Sequence, residues 1–513
     1  MHFKSRLSIL LTGAAVVSTL LSCTRTQENS QPNIIYILMD DMGYGEAGAY
    51  GQKKIKTPNI DALAQSGMRF TQHYSGSPVC APSRCVLLTG QHSGHAYIRG
   101  NDPMAERGDV WNFEKASHNP NLEGQRPIPA NTVTVGKLLQ QAGYTTSCIG
   151  KWGLGGPLTD GHPNKQGFDH FFGFICQRQA HSYYPLHLWR NHDKVQLNND
   201  LVVPNTKLDD GADPRDVASY QKFTGGDYTP DLMFEEAQTF IASNKEHPFF
   251  LYFSTPIPHL PLSVPQEWID KYVAEFGDEA PYTGARGYFP ARHPKATYAA
   301  MITYLDHQIG QMVQQLKDEG LYENTIILFS SDNGATFTGG SDTPWFKSNA
   351  PFKSEYGYGK GFLHEGGIRV PMIASWPGQI EPGTSSGHVS AFQDVLPTLC
   401  DIAGVKKKVR TDGISFLPTL LEKEQPTHDY LYFEFAEYGG QQAVRIGDWK
   451  GIRKNIHKGN LIIELYDLAT DIQELNNIAD QHPEIVKQME EIMQKEHVPS
   501  AVKRFKFATL GDE

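Results

Sequence analysis

The segment NIIYILMDD, residues 33–41, decides the fold of this chain. It is a continuous apolar run that ends in two aspartates, Asp40 and Asp41. A strand buried on both faces of a parallel sheet reads as such a run, whereas a half-exposed strand alternates apolar and polar residues. Because ligands gather beyond the carboxyl ends of parallel strands, we expect these two carboxylates at the functional edge of a sheet.

Helices and apolar strands continue to alternate along the chain. The helix predicted for residues 57–67 has Thr57 as its N-cap, Pro58 in its first turn and Gly67 past its end. Further helices are predicted for 131–144 and 296–319, and further strands for 145–150, 248–255 and 325–331. This alternation predicts an α/β fold with a large mixed, mostly parallel sheet sandwiched by helices.

The chain divides into four predicted parts. Residues 1–22 resemble an export signal of the lipoprotein type, with Cys23 as the lipidated residue, and residues 23–31 form a polar tether. An ordinary cleaved signal is the alternative. The catalytic domain is predicted for 32–424, and short alternating strands followed by a helix predict a smaller C-terminal α+β subdomain for 425–513.

Composition limits the function classes. The formal net charge of −11 argues against nucleic-acid binding, which needs basic groups facing phosphates. An exported chain with six cysteines permits disulfides. The sequence leaves the pairing of Cys85, Cys148, Cys176 and Cys400 undetermined.

Four oxygen-bearing side chains directly follow two predicted strands. Asp40 and Asp41 end the first strand, and Asp332 and Asn333 end the strand in TIILFSSDNG, residues 325–334. Carboxylate and amide oxygens select calcium or magnesium over zinc. One such pair alone is equally typical of a turn cap, but two pairs at one sheet edge predict a site for a single hard divalent cation.

Cys80 opens the segment CAPSRCVLLTG, residues 80–90, at a predicted helix start. Its thiol is a buried structural group, a disulfide partner of Cys85 or a chemically modified nucleophile. Five residues across a helix start are poor geometry for a disulfide. Arg84, one helical turn on, and the helix dipole both favour an anion beside position 80.

These motifs together resemble those of the type I, formylglycine-dependent sulfatases of the alkaline phosphatase-like superfamily. The core C-x-P-x-R is complete at Cys80–Arg84, and YDLATDIQELNNIA at 466–479 is similar to a C-terminal segment of that family. The remaining motifs follow in the family's order: NIIYILMDDMGYG at 33–45, GKWGLG at 150–155, TPIPHLPL at 255–262, SSDNG at 330–334 and GKGFLHEGGIRVP at 359–371.

The resemblance implies the chemistry of a carbohydrate sulfatase. A formylglycine-generating or sulfatase-maturating enzyme would convert Cys80 to formylglycine (3-oxoalanine). One hydroxyl of its hydrate would attack sulfur, and the other would release the product. The matching ligands of Ca²⁺, with Mg²⁺ as the alternative, are Asp40, Asp41, Asp332, Asn333 and residue 80 itself. Lys151, His259 and Lys360 match the sulfate-binding and leaving-group positions, and Arg84 would hold the modified residue and the metal ligands.

One residue departs from the family pattern. Many sulfatases have GKWHLG, whose histidine contacts the formylglycine hydroxyl, whereas this chain has Gly153 at that position. His92 and His95 in TGQHSGH, residues 89–95, are candidates to replace that histidine.

The substrate expected from the resemblance is a sulfated oligosaccharide outside the cytoplasm. Our specific hypothesis is an exo-acting 6-O-sulfatase on galactose or N-acetylgalactosamine. Gln177 and His181 in QRQAHSYYPLHLW, residues 177–189, and Arg99 in RGND, residues 99–102, are candidate sugar contacts. We expect a periplasmic or cell-surface protein that meets the membrane only through its lipid anchor.

Two other functions compete with this hypothesis. A phosphatase or phosphodiesterase of the same superfamily would use two zinc ions and need more histidine and aspartate ligands, commonly with histidine in place of Asn333. A surface lipoprotein that binds glycans without catalysis is the second alternative. It stays an alternative because Gly153 replaces the histidine that many sulfatases have at this position.

Overall fold

The computed structural model describes residues 31–406 and 409–513. The predicted signal segment and Cys23 therefore lie outside the described residues. Among the residues described, no helix combines the length and the apolar character needed to cross a bilayer.

A ten-stranded sheet forms the centre of the molecule, in the order β11-β2-β10-β9-β1-β8-β4-β5-β6-β7. Its strands are β1 (Asn33–Met39), β2 (Met68–Phe70), β4 (Thr145–Lys151), β5 (His170–Phe174), β6 (His187–Arg190), β7 (Asp193–Gln196), β8 (Phe249–Ser254), β9 (Thr325–Ser331), β10 (Met372–Ser375) and β11 (Thr384–Ser386). A second, two-stranded sheet joins β3 (His73–Tyr74) to β12 (Ser390–Ala391).

The central strands confirm the predicted mostly parallel sheet. β1 is buried along its whole length and pairs in parallel with β8 on one side and with β9 on the other. β4 pairs in parallel with β8 and with β5. At the two ends of this parallel group, β10 pairs with β9 and β6 pairs with β5 in antiparallel orientation. Because β9, β1, β8 and β4 point the same way, their carboxyl ends meet at one edge.

Helices cover both faces of the sheet, as predicted. The twelve α-helices of the described residues are α1 (Pro58–Gln65), α2 (Cys80–Thr89), α3 (Phe113–His118), α4 (Val135–Gln141), α5 (Thr229–Ser243), α6 (Gln266–Phe276), α7 (Pro294–Asp318), α8 (Thr343–Phe346), α9 (Glu365–Ile368), α10 (Val395–Ile402), α11 (Leu417–Leu420) and α12 (Pro483–Glu496). Alternate β1 side chains enter two separate cores, since successive strand residues face opposite sides. Ile35 and Ile37 pack with Met301 of α7, whereas Tyr36 and Leu38 pack with residues of α2 and α10.

The C-terminal segment forms the predicted antiparallel sheet. Its strands are β13 (Leu431–Phe435), β14 (Gln441–Ile446), β15 (Trp449–Lys454) and β16 (Ile463–Asp467), paired in chain order. α12 packs against this sheet through Met489 and Met493. The predicted division of the chain at residue 425 stays a prediction, since residues 31–513 cluster as one compact unit.

A buried ion cluster joins the C-terminal sheet to α9. The Lys450 ammonium of β15 lies 2.8 Å from Glu365 Oε1 and 3.0 Å from Glu474 Oε1, and all three side chains are almost fully buried. Burial opposes the charge of Glu365, but Lys450 and Arg369 outweigh it and lower the pKa of that carboxyl. Lys450 is therefore the cation that Glu474 contacts, and it shares the compensation of Glu365 with Arg369, whose Nη1 lies 3.0 Å from Glu365 Oε2.

We expect Lys450→Met to lower the free energy of unfolding by about 3–5 kcal/mol, because it leaves the buried Glu474 without its cation and Glu365 with Arg369 alone. Urea unfolding followed by circular dichroism measures this loss. The matched control is Lys454→Met on the same strand, whose ammonium pairs at 2.7 Å with Glu464 where both side chains are about one-third exposed. That exposed pair is worth about 1 kcal/mol or less, so equal losses in the two variants would contradict the account.

Candidate active site

The ends of β1 and β9 bring the four predicted oxygen ligands together. The Asp41 backbone N–H donates to Asp332 Oδ1 at 3.1 Å, and Asn333 Nδ2 donates to Asp41 Oδ1 at 2.8 Å. Asp41 has a positive φ of 69°, which turns the chain sharply directly after the strand. Asp40, Asp41, Asp332 and Asn333 are all almost completely buried. Parallel pairing of two apolar strands thus places three carboxylates at one point of the sheet edge.

Cys80 lies beside these carboxylates as the first residue of α2. Its Sγ is 3.3 Å from Asp40 Oδ1 and 3.9 Å from Asp41 Oδ1. α2 extends for ten residues to Thr89, and Gly90 ends it with a φ of +68°. The helix therefore directs its N-terminus, where a partial positive charge collects, at the position of Cys80.

Three cations surround the thiol and the carboxylates. Lys151, the last residue of β4, places Nζ 2.5 Å from Asp40 Oδ2 and 3.6 Å from Cys80 Sγ. Lys360 places its Nζ 2.6 Å from Asp41 and also 3.6 Å from Cys80 Sγ.

Arg84 supplies the third cation from the second turn of α2. It donates to Asp332 Oδ2 through Nε at 2.9 Å and Nη2 at 2.8 Å. Its Nη1 donates to the Lys151 carbonyl at 2.6 Å and to Ser254 Oγ. Arg84 thus connects α2 to the ends of β9, β4 and β8.

A cluster of aromatic rings forms the opposite wall. His259 donates its Nδ1–H to the Leu260 carbonyl at 2.7 Å, and its Nε2 lies 3.8 Å from Asp41 Oδ2. His181 stacks on His259 with ring centroids 5.3 Å apart, and the Tyr288 ring meets both histidines edge-on. Sequence reasoning missed Tyr288, because it lies on an irregular loop and belongs to no motif.

The buried charges shift the pKa values of these groups in a consistent way. Burial raises the pKa of the Cys80 thiol well above its ordinary value, and the Asp40 charge adds to the effect. Burial alone would also raise the pKa of Asp40, but the Lys151 and Arg84 charges hold it well below its usual range. Burial, followed by the Lys151 charge, keeps the pKa of His259 well below its ordinary value. The unmodified cysteine is therefore a neutral thiol beside the ionised Asp40 and a neutral imidazole.

The donor set fits a hard divalent cation. Asn333 Oδ1 is a buried acceptor without a hydrogen-bond partner, which is the state expected of an oxygen that ligates a cation. Donor atoms of Asp40, Asp41, Cys80 and His259 all lie within 4.8 Å of one another. Together with Asp332 these residues offer mainly oxygen, the donor type of Ca²⁺ and Mg²⁺.

Three residues predicted to act in the site, Arg99, His92 and His95, contact other protein groups in the structure. Arg99 is buried and donates to Glu434 at 2.8 Å and to the Val498 carbonyl at 2.6 Å, so its proposed sugar contact stays a prediction. His92 and His95 bond to Glu496 at 3.1 Å and to Asp412 at 2.9 Å. Their proposed substitution for a histidine at position 153 has no support in these contacts.

None of the cysteines in the described residues forms a disulfide. Cys80, Cys85, Cys148, Cys176 and Cys400 are all buried free thiols. Cys85 is thus not a disulfide partner of Cys80, and the choice left open for Cys80 narrows to a structural thiol or a modified nucleophile.

Comparison with known proteins identifies the family. A model of the sulfatase family matches residues 32–405, and a model described as N-sulphoglucosamine sulphohydrolase, C-terminal, matches residues 354–498. An N-acetylgalactosamine-6-O-sulfatase of Bacteroides thetaiotaomicron is 29% identical over 96% of this chain and 98% of its own length. The N-acetylgalactosamine-6-sulfatase of Rattus norvegicus is 30% identical over 83% of this chain and 74% of its own length.

Solved structures agree with this assignment. The crystal structure of Ps i-CgsB in complex with k-i-k-neocarrahexaose superposes with a TM-score of 0.72 at 28% identity, over 92% of this chain and 94% of that chain. The predicted alkaline phosphatase-like fold is thereby confirmed. Since the family model covers most of the 513 residues, the chain belongs to the sulfatase family and is a sulfuric ester hydrolase.

Proposed function

We propose that this sulfatase hydrolyses sulfate monoesters of glycans through formylglycine at position 80 and one bound Ca²⁺. The observation that carries the proposal is the environment of Cys80, whose Sγ lies 3.3 Å from Asp40 Oδ1 and 3.6 Å from each of two ammonium groups. A thiol at the N-terminus of a helix, between carboxylates and two lysines, occupies the position of a nucleophile that attacks an anion.

Formylglycine and the bound cation would supply chemistry that the twenty encoded side chains lack. Formylglycine provides a geminal diol, in which one hydroxyl is the nucleophile and the other supports product release. The cation, held by Asp40, Asp41, Asp332 and Asn333 beside residue 80, supplies Lewis acidity and lowers the pKa of a hydroxyl close to it. An unmodified thiol with a raised pKa supplies neither a thiolate nor a second hydroxyl.

The side chains of the site bind and orient the sulfate group. Lys151 and Lys360 approach position 80 from two sides, so their ammonium groups donate to sulfate oxygens as negative charge develops on them. His259 faces the same space with Nε2. Lys360, an ammonium paired with Asp41, protonates the departing oxygen, or His259 does so after Nε2 has taken up a proton. Arg84 does not reach outward, because its donors are taken by Asp332 and by β4 and β8.

The substrate proposed is a sulfated oligosaccharide, with exo-acting 6-O-desulfation of galactose or N-acetylgalactosamine as the specific reaction. Two relatives, 29% and 30% identical, are N-acetylgalactosamine 6-sulfatases, and the structural relative Ps i-CgsB was crystallised in complex with k-i-k-neocarrahexaose. The rings of His181 and Tyr288 at the wall of the site are suited to pack on a pyranose.

Maturation and location are further parts of the proposal. A formylglycine-generating or sulfatase-maturating enzyme would modify Cys80 before or during export. The sequence of residues 1–23 supports export to the periplasm or cell surface and a lipid anchor on Cys23.

The first experiment compares a sulfated with a phosphorylated aryl ester on the same preparation. We expect turnover of 4-methylumbelliferyl sulfate that EDTA abolishes and Ca²⁺ restores, with far slower turnover of the phosphate. The mass of the tryptic peptide spanning residue 80 is measured in parallel, and conversion of the thiol to an aldehyde makes that peptide lighter. Preferred phosphate turnover supported by Zn²⁺ would favour the two-metal alternative. Sulfate hydrolysis by material that carries only the free thiol would contradict the formylglycine mechanism.

A second experiment tests the lysine at the rim of the site. We expect Lys360→Ala to lower kcat by about 10²–10³-fold, because it removes one donor to the sulfate oxygens. The matched control is Lys353→Ala, whose ammonium lies on the same loop, 4.1 Å above the Tyr358 ring. The control should keep a kcat close to that of the unaltered enzyme. An unchanged kcat in Lys360→Ala would remove this lysine from the mechanism.

A further inference from the structure

Gly153 and Gln177 lie side by side at the edge of the sheet that carries the site. Gly153 follows β4 by two residues, and Gln177 follows β5 by three. β4 and β5 pair in parallel with Lys151 opposite Phe174, so both segments leave the sheet at the same edge. Lys151, two residues before Gly153, contacts Cys80. His181, four residues after Gln177, stacks on His259.

The Gln177 side chain occupies the space into which a side chain at position 153 would project. A Cβ built on Gly153 would lie 2.7 Å from Gln177 Nε2 and 2.8 Å from Gln177 Cδ, closer than real Cβ contacts allow. Gly153 also has a φ of +87°, a backbone conformation that favours glycine. A side chain at 153 and the observed position of the Gln177 amide therefore exclude each other.

The Gln177 amide is buried but not satisfied. The residue is only 5% exposed, and its Nε2 has no hydrogen-bond partner. The backbone of Gln177 is held, since its N–H donates to Gln125 Oε1 at 3.1 Å and its carbonyl accepts from Ala180. A buried N–H donor without an acceptor destabilises a fold, and an apolar side chain of the same shape would not carry that penalty. The chain thus retains, beside its active site, a donor that lacks an acceptor.

We propose that Gln177 Nε2 donates a hydrogen bond to an oxygen of the sulfate group of the bound substrate. This inference rests on the proposed sulfatase function. The position of the amide points to the acceptor, because Nε2 lies against Gly153, two residues after Lys151, and the Gln177 segment continues to His181, which stacks on His259. Sugar hydroxyls would lie further out, toward the half-buried Tyr288. The amide is a neutral donor, so it binds the anion without adding a charge to a site that already holds three cations.

The decisive variant is Gln177→Met, which keeps the length of the side chain and removes the donor. We expect kcat/KM for 4-methylumbelliferyl sulfate to fall by about ten- to a hundredfold. The melting temperature of the free protein should hold or rise, because an unsatisfied buried donor has been replaced by an apolar group. This aryl ester has no sugar hydroxyl, so any loss of activity on it reports on the sulfate group.

Three results would overturn the inference. The first is an unchanged kcat/KM on the aryl sulfate, including the case in which only N-acetylgalactosamine 6-sulfate turnover falls. The second is a lower melting temperature, which would assign Gln177 a structural role. The third is an equal loss of kcat/KM in Gln179→Met, the variant of a buried glutamine two residues away. Failure of the proposed function looks different, because the unaltered enzyme would then release no sulfate.

A double-mutant cycle in melting temperature tests whether the Gln177 amide fills the space beside Gly153, and it needs no activity assay. Gly153→Ala should lower the melting temperature more in the unaltered protein than in the Gln177→Ala background, where the amide no longer blocks the new methyl group. The strain of a positive φ at position 153 is the same in both backgrounds and cancels in the comparison. Equal shifts in the two backgrounds would show that the two positions do not share this space and would overturn the inference.

Discussion

Three buried carboxylates, those of Asp40, Asp41 and Asp332, impose the constraint on which the rest of this structure depends. Ionised carboxylates are tolerated in a protein interior only when cations and hydrogen bonds compensate for lost hydration. Lys151, Lys360 and Arg84 provide that compensation, each within hydrogen-bonding distance of one carboxylate. The cations come from the end of β4, from the loop before α9 and from α2, so one charge requirement fixes the relative positions of three distant segments.

The balance of charge also bears on the choice of ester. Burial, followed by the Asp40 charge, raises the pKa of Asp332 to about 6. Above that pH, three carboxylates and three cations, with a neutral thiol and a neutral imidazole, sum to zero. A divalent cation added to this set would leave two positive charges. A sulfate monoester with one negative charge and one ionised hydroxyl would balance them, whereas a phosphate monoester carries close to a second charge at neutral pH. The electrostatics therefore favour a sulfate ester over a phosphate ester.

Local patterns predicted much of the fold and the placement of the site. The apolar runs of β1 and β9 and the helix α12 were predicted from residues adjacent in sequence, because strand burial and helix punctuation are local signals. Contacts between distant segments were not predictable in this way. Nothing near Arg99 indicates that its partner is Glu434, and nothing near Gly153 indicates that Gln177 fills its space. The first contact depends on where the loop after α2 meets β13, and the second depends on the pairing of β4 with β5. The position of Tyr288 depends on the course of an irregular loop.

The central claim is that one hard cation is held between the ends of β1 and β9, beside residue 80. The most direct measurement is anomalous diffraction from crystals of the mature enzyme grown with Ca²⁺, collected on both sides of the zinc absorption edge. The account predicts a single peak within ligand distance of Asp40, Asp41, Asp332 and Asn333, with no change across that edge. Two peaks that appear only above the zinc edge, or a peak without contact to these side chains, would contradict it.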